Sequence, residues 1–330
     1  MKKETGLLLI LGTLMMFILT GCMYQNMAVN IGADGSGTVV ITTGYDEAYY
    51  EALVEDEAMT QAEFEKVKQE SIEVEQDGKV YYCTTEETEF SDTKELEEVL
   101  SKNEKYVYAS TETFFMVNET DTEEAEDLTN EEIKELLYIN INVTFAQPIQ
   151  KHIGGELSNG NKTITWDMDE ILKGKDLYAT TTRKAEKPAT VNVVKNKFYK
   201  KIQTMKVKSG VGTVYMDDML VTSGKTKAKN GKHTLLILNQ NGTKKEFQFV
   251  VDTKAPAIKG VKNNKTYAKN VKLTFSDTES GIKSVTVNGK KISAKAIKNG
   301  YIVKKNGKYT VKVTDQAKNV KTVKFTIKKY

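Results

Sequence analysis

Val271-Lys272-Leu273-Thr274-Phe275 and Val323-Lys324-Phe325-Thr326-Ile327 alternate apolar and polar residues with a period of two. That is the pattern of a strand with one face in a core and the other in water. Asn288-Gly289 and Asn306-Gly307 supply turns between such runs. About six or seven short strands in roughly 65 to 75 residues predict a small β-sandwich. The chain holds this unit twice. Lys187-Pro188-Ala189 is echoed by Ala255-Pro256-Ala257, and Asn196-Lys197-Phe198-Tyr199-Lys200-Lys201 by Asn264-Lys265-Thr266-Tyr267-Ala268-Lys269, a period of about 68 residues. Gly212-Thr213-Val214-Tyr215-Met216 then matches Lys283-Ser284-Val285-Thr286-Val287, and Asn230-Gly231-Lys232-His233-Thr234-Leu235 matches Asn306-Gly307-Lys308-Tyr309-Thr310-Val311. Asp252-Thr253-Lys254-Ala255-Pro256 is the joint, stiffened by its proline.

The second copy resembles a bacterial immunoglobulin-like domain. The resemblance rests on Asp252-Thr253-Lys254-Ala255-Pro256, Ser276-Asp277 leading to Ser280-Gly281-Ile282, Val287-Asn288-Gly289, and Tyr309-Thr310-Val311-Lys312-Val313-Thr314-Asp315-Gln316-Ala317-Lys318-Asn319. The last stretch departs from the usual Asp-x-Ala-Gly-Asn by carrying Lys318 where glycine is expected. The first copy is a diverged version: Ser209-Gly210 lacks the preceding aspartate, and Asp217-Asp218 stands where the second has Asn288-Gly289. The resemblance implies spacers, adhesion units or carbohydrate-contact units.

Upstream the chain changes character. Residues 22–187 hold about 37 acidic and 14 basic residues, whereas residues 188–330 hold about 32 basic and 7 acidic. That asymmetry predicts separate modules. Met27-Ala28-Val29-Asn30-Ile31 and Thr38-Val39-Val40-Ile41-Thr42 flank Asp34-Gly35-Ser36-Gly37, a hairpin turn without the lysine of a phosphate loop. Residues 46–70 read as two helical pieces meeting near Thr60, which caps the second. Asp77-Gly78 predicts a type I′ hairpin between 71–75 and 79–83, and Ser91-Asp92-Thr93 opens a helix of about three turns. Strands are expected at 106–117, 138–145 and 162–168, with a short helix at 130–137. The mixture predicts an α+β domain with a largely antiparallel sheet and inserted helices.

Cys22 followed closely by a strand, the Asp34-Gly35-Ser36-Gly37-Thr38-Val39 turn, the helical insertion, and Asn159-Gly160 leading into Thr163-Ile164-Thr165-Trp166-Asp167 make this half similar to the LppM-type lipoprotein domain of bacterial envelopes. The resemblance implies an extracytoplasmic module without assigned enzymatic chemistry, and it carries over no catalytic residue.

The chain opens on Lys2 and Lys3, an apolar run over residues 7–19, and Leu19-Thr20-Gly21-Cys22. The run is short for a membrane span, and the sequence reads as a lipoprotein leader with a signal-peptidase box at Leu19, Thr20, Gly21 and Cys22. Cys22 is then the lipidated residue, carrying a covalent diacylglycerol. Two acyl chains anchor stably at about 0.8 kcal/mol per methylene. The competing readings are an ordinary secretory signal with a chance cysteine, or an uncleaved anchor. Once Cys22 is acylated, Cys83 has no partner for an internal disulfide and is expected to be a small buried hydrophobe.

The expected layout is a leader at 1–21, an acidic α+β membrane-proximal domain at 22–187, a divergent basic immunoglobulin-like repeat at 188–252 and a second all-β immunoglobulin-like sandwich at 253–330. No catalytic residue is assigned: His152 and His233 belong to no catalytic or metal-binding motif. Asp252, Asp277, Glu279 and Asp315 are placed to gather at one end of the second sandwich. Carboxylate oxygens suit calcium, but no full calcium loop is present, so turn capping is preferred and no metal is assigned. The reading is a non-enzymatic lipoprotein at the extracellular face of the cell membrane. It needs no cofactor beyond the diacylglycerol on Cys22. Its expected partners are the membrane and an anionic wall polymer or a surface protein, not nucleic acid. The alternative is a lipid or glycolipid carrier or envelope chaperone built on the first domain.

Overall fold

The computed structural model describes residues 22–102, 106–118 and 129–329. Most of the secondary structure is β-sheet. The chain forms two compact units. One holds the chain as far as Pro188 together with Val211–Thr213 and Leu238–Lys244; the other holds Ala189–Gly210, Val214–Ile237 and Lys245–Tyr330.

The first unit opens with the hairpin of β1 (Met23–Ile31) and β2 (Gly37–Asp46). Asp34 Oδ1 closes the turn by accepting from the Ser36 backbone N–H at 3.1 Å and its hydroxyl at 2.8 Å. Glycine is required at 37, where a Cβ would lie 1.8 Å from the Asn30 carbonyl oxygen. The helical stretch divides into α1 (Glu47–Glu55) and α2 (Gln61–Glu70). At Thr60 a full capping box forms: its hydroxyl accepts from Glu63 N at 3.3 Å while Glu63 accepts from Thr60 N at 2.8 Å. Strands β3 (Ile72–Gln76) and β4 (Lys79–Phe90) pair across Asp77 and Gly78, whose φ values of +52° and +76° are those of the type I′ turn. Next, α3 (Thr93–Ser101) starts at Asp92, which accepts from Lys94 N and Glu95 N, both at 2.9 Å.

The expected strand over 106–117 is instead a hairpin, β5 (Val107–Ser110) and β6 (Thr113–Met116). Its turn is made by a side chain, the Ser110 hydroxyl accepting from Thr113 N at 3.0 Å. Then come α4 (Asn130–Leu136), β7 (Leu137–Phe145), β8 (Lys151–Ile153), β9 (Glu156–Ser158) and β10 (Thr163–Trp166). Met168, expected to end a strand, begins α5 (Met168–Leu172), and β11 (Leu177–Thr180) closes the series.

Seven strands assemble in the order β3-β4-β2-β1-β7-β10-β9 and four in the order β5-β6-β11-β8. Pairing is antiparallel except at the centre of the larger sheet, where β1 and β7 run parallel with Met27 opposite Ile141. Alternation then sets one face: Met27, Val29 and Ile31 of β1 lie with Ile139, Ile141, Val143 and Phe145 of β7 and Trp166 of β10. This face packs in one core with Leu96 and Leu100 of α3, Phe114 of β6 and Leu177 of β11.

The two repeats share one topology. In the first, a five-stranded sheet runs Phe198–Tyr199, Lys244–Val251, Gly231–Asn239, Gly212–Met216, Met219–Leu220. In the second it runs Lys265–Tyr267, Val320–Ile327, Gly307–Asp315, Ile282–Val287, Lys290–Lys291. Both sheets begin with a parallel pair, Phe198 opposite Val250 and Lys265 opposite Phe325. The repetition reaches single atoms. Tyr199 OH accepts from Val194 N at 2.9 Å, and Tyr267 OH from Lys262 N at 2.7 Å. Asp217 Oδ1 accepts from Thr234 N at 2.9 Å, just as Asn288 Oδ1 accepts from Thr310 N at 2.7 Å, so Asp217-Asp218 does the work of Asn288-Gly289. The copies differ in their second layer. The second copy has a three-stranded sheet of Ala257–Lys259, Val271–Ser276 and Tyr301–Val303, while the first has only two short two-stranded ladders. A short helix, Ala294–Asn299, enters the second copy where no helical spacing signalled it.

Lys318, the residue in place of glycine, has φ +71°. A left-handed L-residue costs about 1–2 kcal/mol, against about 0.5–1 kcal/mol for the extra freedom of unfolded glycine. Lys318→Gly is therefore expected to stabilise the second unit by about 0.5–1 kcal/mol, seen as a higher urea midpoint at unchanged slope. A lowered midpoint would mean that the lysine side chain itself supports this turn.

Candidate functional site

Leu19, Thr20 and Gly21 lie outside the described residues; Cys22 is the first residue inside them. It immediately precedes β1, and its carbonyl accepts from Asp46 N at 3.0 Å. Its side chain is buried beside Tyr24, Tyr81 and Cys83, with Val74 and Tyr138 against them. Tyr24 stacks on Tyr138 with ring centroids 5.4 Å apart. The Cys22 thiol donates to the Glu135 carbonyl, and Lys79 Nζ donates to Cys22 Sγ at 2.8 Å, which raises the Lys79 ammonium above its ordinary value. A thioether has no S–H, so acylation of Cys22 would end the bond to Glu135. Cys83 is fully buried, and burial pushes its thiol up to about 11, the behaviour of an inert apolar side chain. Among the described residues no helix is long and apolar enough to cross a membrane.

The basic half presents its charge outward. Every lysine from Lys195 to Lys328 is exposed. On the second copy the strands Gly307–Asp315 and Val320–Ile327 bury Val311, Val313, Val323, Phe325 and Ile327 and turn Lys308, Lys312, Lys321 and Lys324 to water. Between Lys195 and Lys324 only Lys244, with Asp176, and Lys254, with Glu279, form ion pairs among the described residues. All basic residues after Pro188 are lysines. A flexible point charge suits irregular phosphate contacts, whereas arginine favours a fixed bidentate geometry. One surface cavity of about 460 Å³ on this copy combines Lys290 and Lys291 with Tyr301 and Tyr309.

Of the four acids expected to gather in the second copy, three do. One carboxylate oxygen from each of Asp252, Asp277 and Asp315 lies within 4.8 Å of the others. Glu279 does not join them and pairs with Lys254 at 3.5 Å. Burial raises the Asp315 carboxyl, and the charges of Asp252 and Asp277 add to the rise against the bond from Asn319. His233 is held between Asp217 Oδ2 at 2.6 Å and the Lys229 carbonyl at 2.9 Å, and exposed His152 contacts the Gly154 carbonyl at 2.6 Å.

One buried carboxylate gave no sign in the sequence. Glu97 of α3 is 8 % exposed, and its Oε1 accepts from Ala109 N at 2.9 Å and from the Thr213 hydroxyl at 2.5 Å. Burial pushes it up to about 7, the two hydrogen bonds pulling in the opposite direction.

The sequence matches no protein-family description and no curated protein. Solved structures similar to parts of the chain include the folded domain of Mycobacterium tuberculosis LppM, at 11 % identity over 50 % of this chain and 92 % of that one, with a TM-score of 0.27. The four N-terminal Ig domains of Dscam1 isoform 1.9 are similar at 9 % identity over 94 % of this chain and 99 % of that one, with a TM-score of 0.24. Bacteroides ovatus SGBP-B, solved with a mixed-linkage heptasaccharide, is similar at 14 % identity over 43 % of this chain and 48 % of that one, with a TM-score of 0.16. At these TM-scores the likenesses assign neither a family nor an activity.

Proposed function

We propose that this chain is a non-enzymatic cell-surface lipoprotein. Cys22 carries the diacylglycerol, an acidic α+β domain of LppM type stands next to the membrane, and two basic immunoglobulin-like sandwiches contact an anionic wall polymer. The observation that carries the reading is the run of exposed lysines from Lys195 to Lys324, of which only Lys244 and Lys254 form ion pairs among the described residues. Charge left uncompensated over a whole module attracts a polyanion, and the cavity beside Lys290, Lys291, Tyr301 and Tyr309 offers a place for phosphate next to a polyol or sugar face. The carrier alternative draws on the first unit, whose interior is filled by Trp166, Phe114, Phe145 and Leu96; co-purified lipid would be the finding in its favour.

The test uses the full chain with purified cell wall, intact or stripped of teichoic acid, over a salt series. Binding is expected at low salt, weaker by about tenfold or more between 50 and 200 mM, and lost with the polyanion. Binding that ignores both salt and polyanion would refute the polymer reading. In cells, Cys22→Ala is expected to leave the protein unprocessed or in the medium; tight membrane retention of a processed form would refute the anchor.

A further inference from the structure

Asp252 follows the last strand of the first repeat, while Asp277 lies in the loop after Val271–Ser276 and Asp315 ends the strand Gly307–Asp315 of the second. Asp252 and Asp315 have no solvent exposure. Their hydrogen bonds leave capacity over. Asp252 accepts from Lys254 N at 3.0 Å and from the Ser280 hydroxyl at 2.5 Å. Asp277 Oδ1 accepts from Ser280 N at 3.0 Å, from Gly281 N at 2.7 Å and from the Ser280 hydroxyl at 3.5 Å. Asp315 Oδ1 accepts from Asn319 N at 2.7 Å, but its Oδ2 is buried without any partner. Stranding a carboxylate oxygen out of water is costly, and two further carboxylates beside it add repulsion. Among the described residues no lysine forms an ion pair with any of the three: Lys254 turns to Glu279, and Lys200 donates to the Lys318 carbonyl at 3.4 Å.

We propose that Asp252, Asp277 and Asp315 form a calcium site at the joint between the two repeats, with Asp315 Oδ2 as one of its ligands. The donors are all oxygen, which selects a hard cation over zinc or copper. An all-carboxylate protein cage favours calcium over magnesium, which dehydrates reluctantly and keeps several waters. Oxygens across a calcium ion stand up to about 5 Å apart, a span compatible with these oxygens, which lie within 4.8 Å of one another. The Asn319 side-chain amide already donates to the Asp252 carbonyl at 2.7 Å. A cation here would add a second tie between the end of one repeat and the next. The inference is independent of the wall-polymer reading.

The test is calorimetric titration of the chelator-treated full chain with calcium chloride, beside thermal unfolding with and without the ion. Expected are one calcium per chain, half-saturation at about 0.1–1 mM as in extracellular modules, a raised unfolding temperature, and magnesium binding weaker by about tenfold. Asp277→Asn, at the half-buried corner, is expected to weaken calcium binding at least about tenfold while leaving the circular dichroism spectrum unchanged; Asp315→Asn is a second variant, used only if it folds. No calcium uptake by the wild-type chain up to about 10 mM, well above the range of such sites, would overturn the proposal. So would a folded Asp277→Asn protein that binds as the wild type does.

Discussion

Trp166→Ala is expected to destabilise the first unit by about 3–5 kcal/mol, the usual cost of emptying a large aromatic site in a core. Trp166 has no solvent exposure and packs in the same core as Met27, Ile141, Leu96 and Phe114. Its indole N–H also donates to the Ile153 carbonyl at 2.8 Å, tying β10 to the end of β8. The backbone closes tightly around the ring: a Cβ at Gly155, where φ is +71°, would stand 3.0 Å from the indole Cδ1. Such a wall does not collapse easily into the space an alanine leaves. Trp166→Phe separates the two contributions. It keeps most of the volume and strands only the carbonyl, so a smaller loss of about 1–3 kcal/mol is expected. Trp166 is the chain's one tryptophan, so unfolding is followed by circular dichroism. Equal losses in the two variants would show that the hydrogen bond, not the volume, dominates.

Glu97→Gln is expected to stabilise the same unit by about 2–3 kcal/mol at pH 8 and to change little near pH 4. The folded protein holds the Glu97 proton up to about pH 7, because burial disfavours the carboxylate, whereas an unfolded glutamate releases it near 4.5. The folded state therefore binds the proton more tightly. Its contribution is fully present below about pH 4.5, falls as pH rises toward 7 and stays low above that; a rise of about 2.5 pH units corresponds to about 3 kcal/mol. Glutamine cannot ionise, and it keeps a carbonyl oxygen for Ala109 N and the Thr213 hydroxyl. The measurement is the difference between urea-derived stabilities of the two proteins from pH 4 to pH 9, expected to grow from about pH 4.5, to reach half its full size near pH 6 and to level off above about 7. Parallel pH curves would show that Glu97 reaches water and carries no such penalty.

The signals that read correctly were local ones. Asp77-Gly78 fixes a type I′ turn by its own backbone preference, and Thr60 with Glu63 closes a cap within four residues. The repeat was legible partly because one of its marks, Tyr199 with Tyr267, acts on a backbone N–H close by in the chain. Other features depend on partners far along the chain. The break between β5 and β6 uses the Ser110 hydroxyl in place of a glycine or proline, so the run looked continuous. The parallel pairing of β1 with β7 joins Met27 to Ile141 across a long stretch that the alternation of neither strand can encode. Glu97 stands among Glu95 and Glu98 with nothing local to mark it; it is buried because its position on α3 borders the stripe of Leu96 and Leu100. The aspartates illustrate both sides. Asp252, Asp277 and Asp315 were placed at one end by the repeat pattern, but Glu279 was drawn away by Lys254, and the orphaned oxygen of Asp315 is visible only with all neighbours in place.

The first unit is not finished where the acidic stretch ends. Thr213 supplies the hydroxyl bound by Glu97, and the turn Leu238–Lys244 adds more. Gln240 accepts at its carbonyl from Tyr178 OH at 3.3 Å and donates from its amide to Thr113 at 3.3 Å, while Lys244 pairs with Asp176 at 2.9 Å. A polypeptide emerging from its N-terminus thus reaches Pro188 with this unit still incomplete. Its last pieces arrive more than fifty residues later, carried by the hairpin of the following repeat. Ring closures of this length are slow steps in folding. A chain stalled before Thr213 would therefore leave the Glu97 carboxyl without one of its partners, and one stalled before Gln240 would leave the Tyr178 hydroxyl without its acceptor.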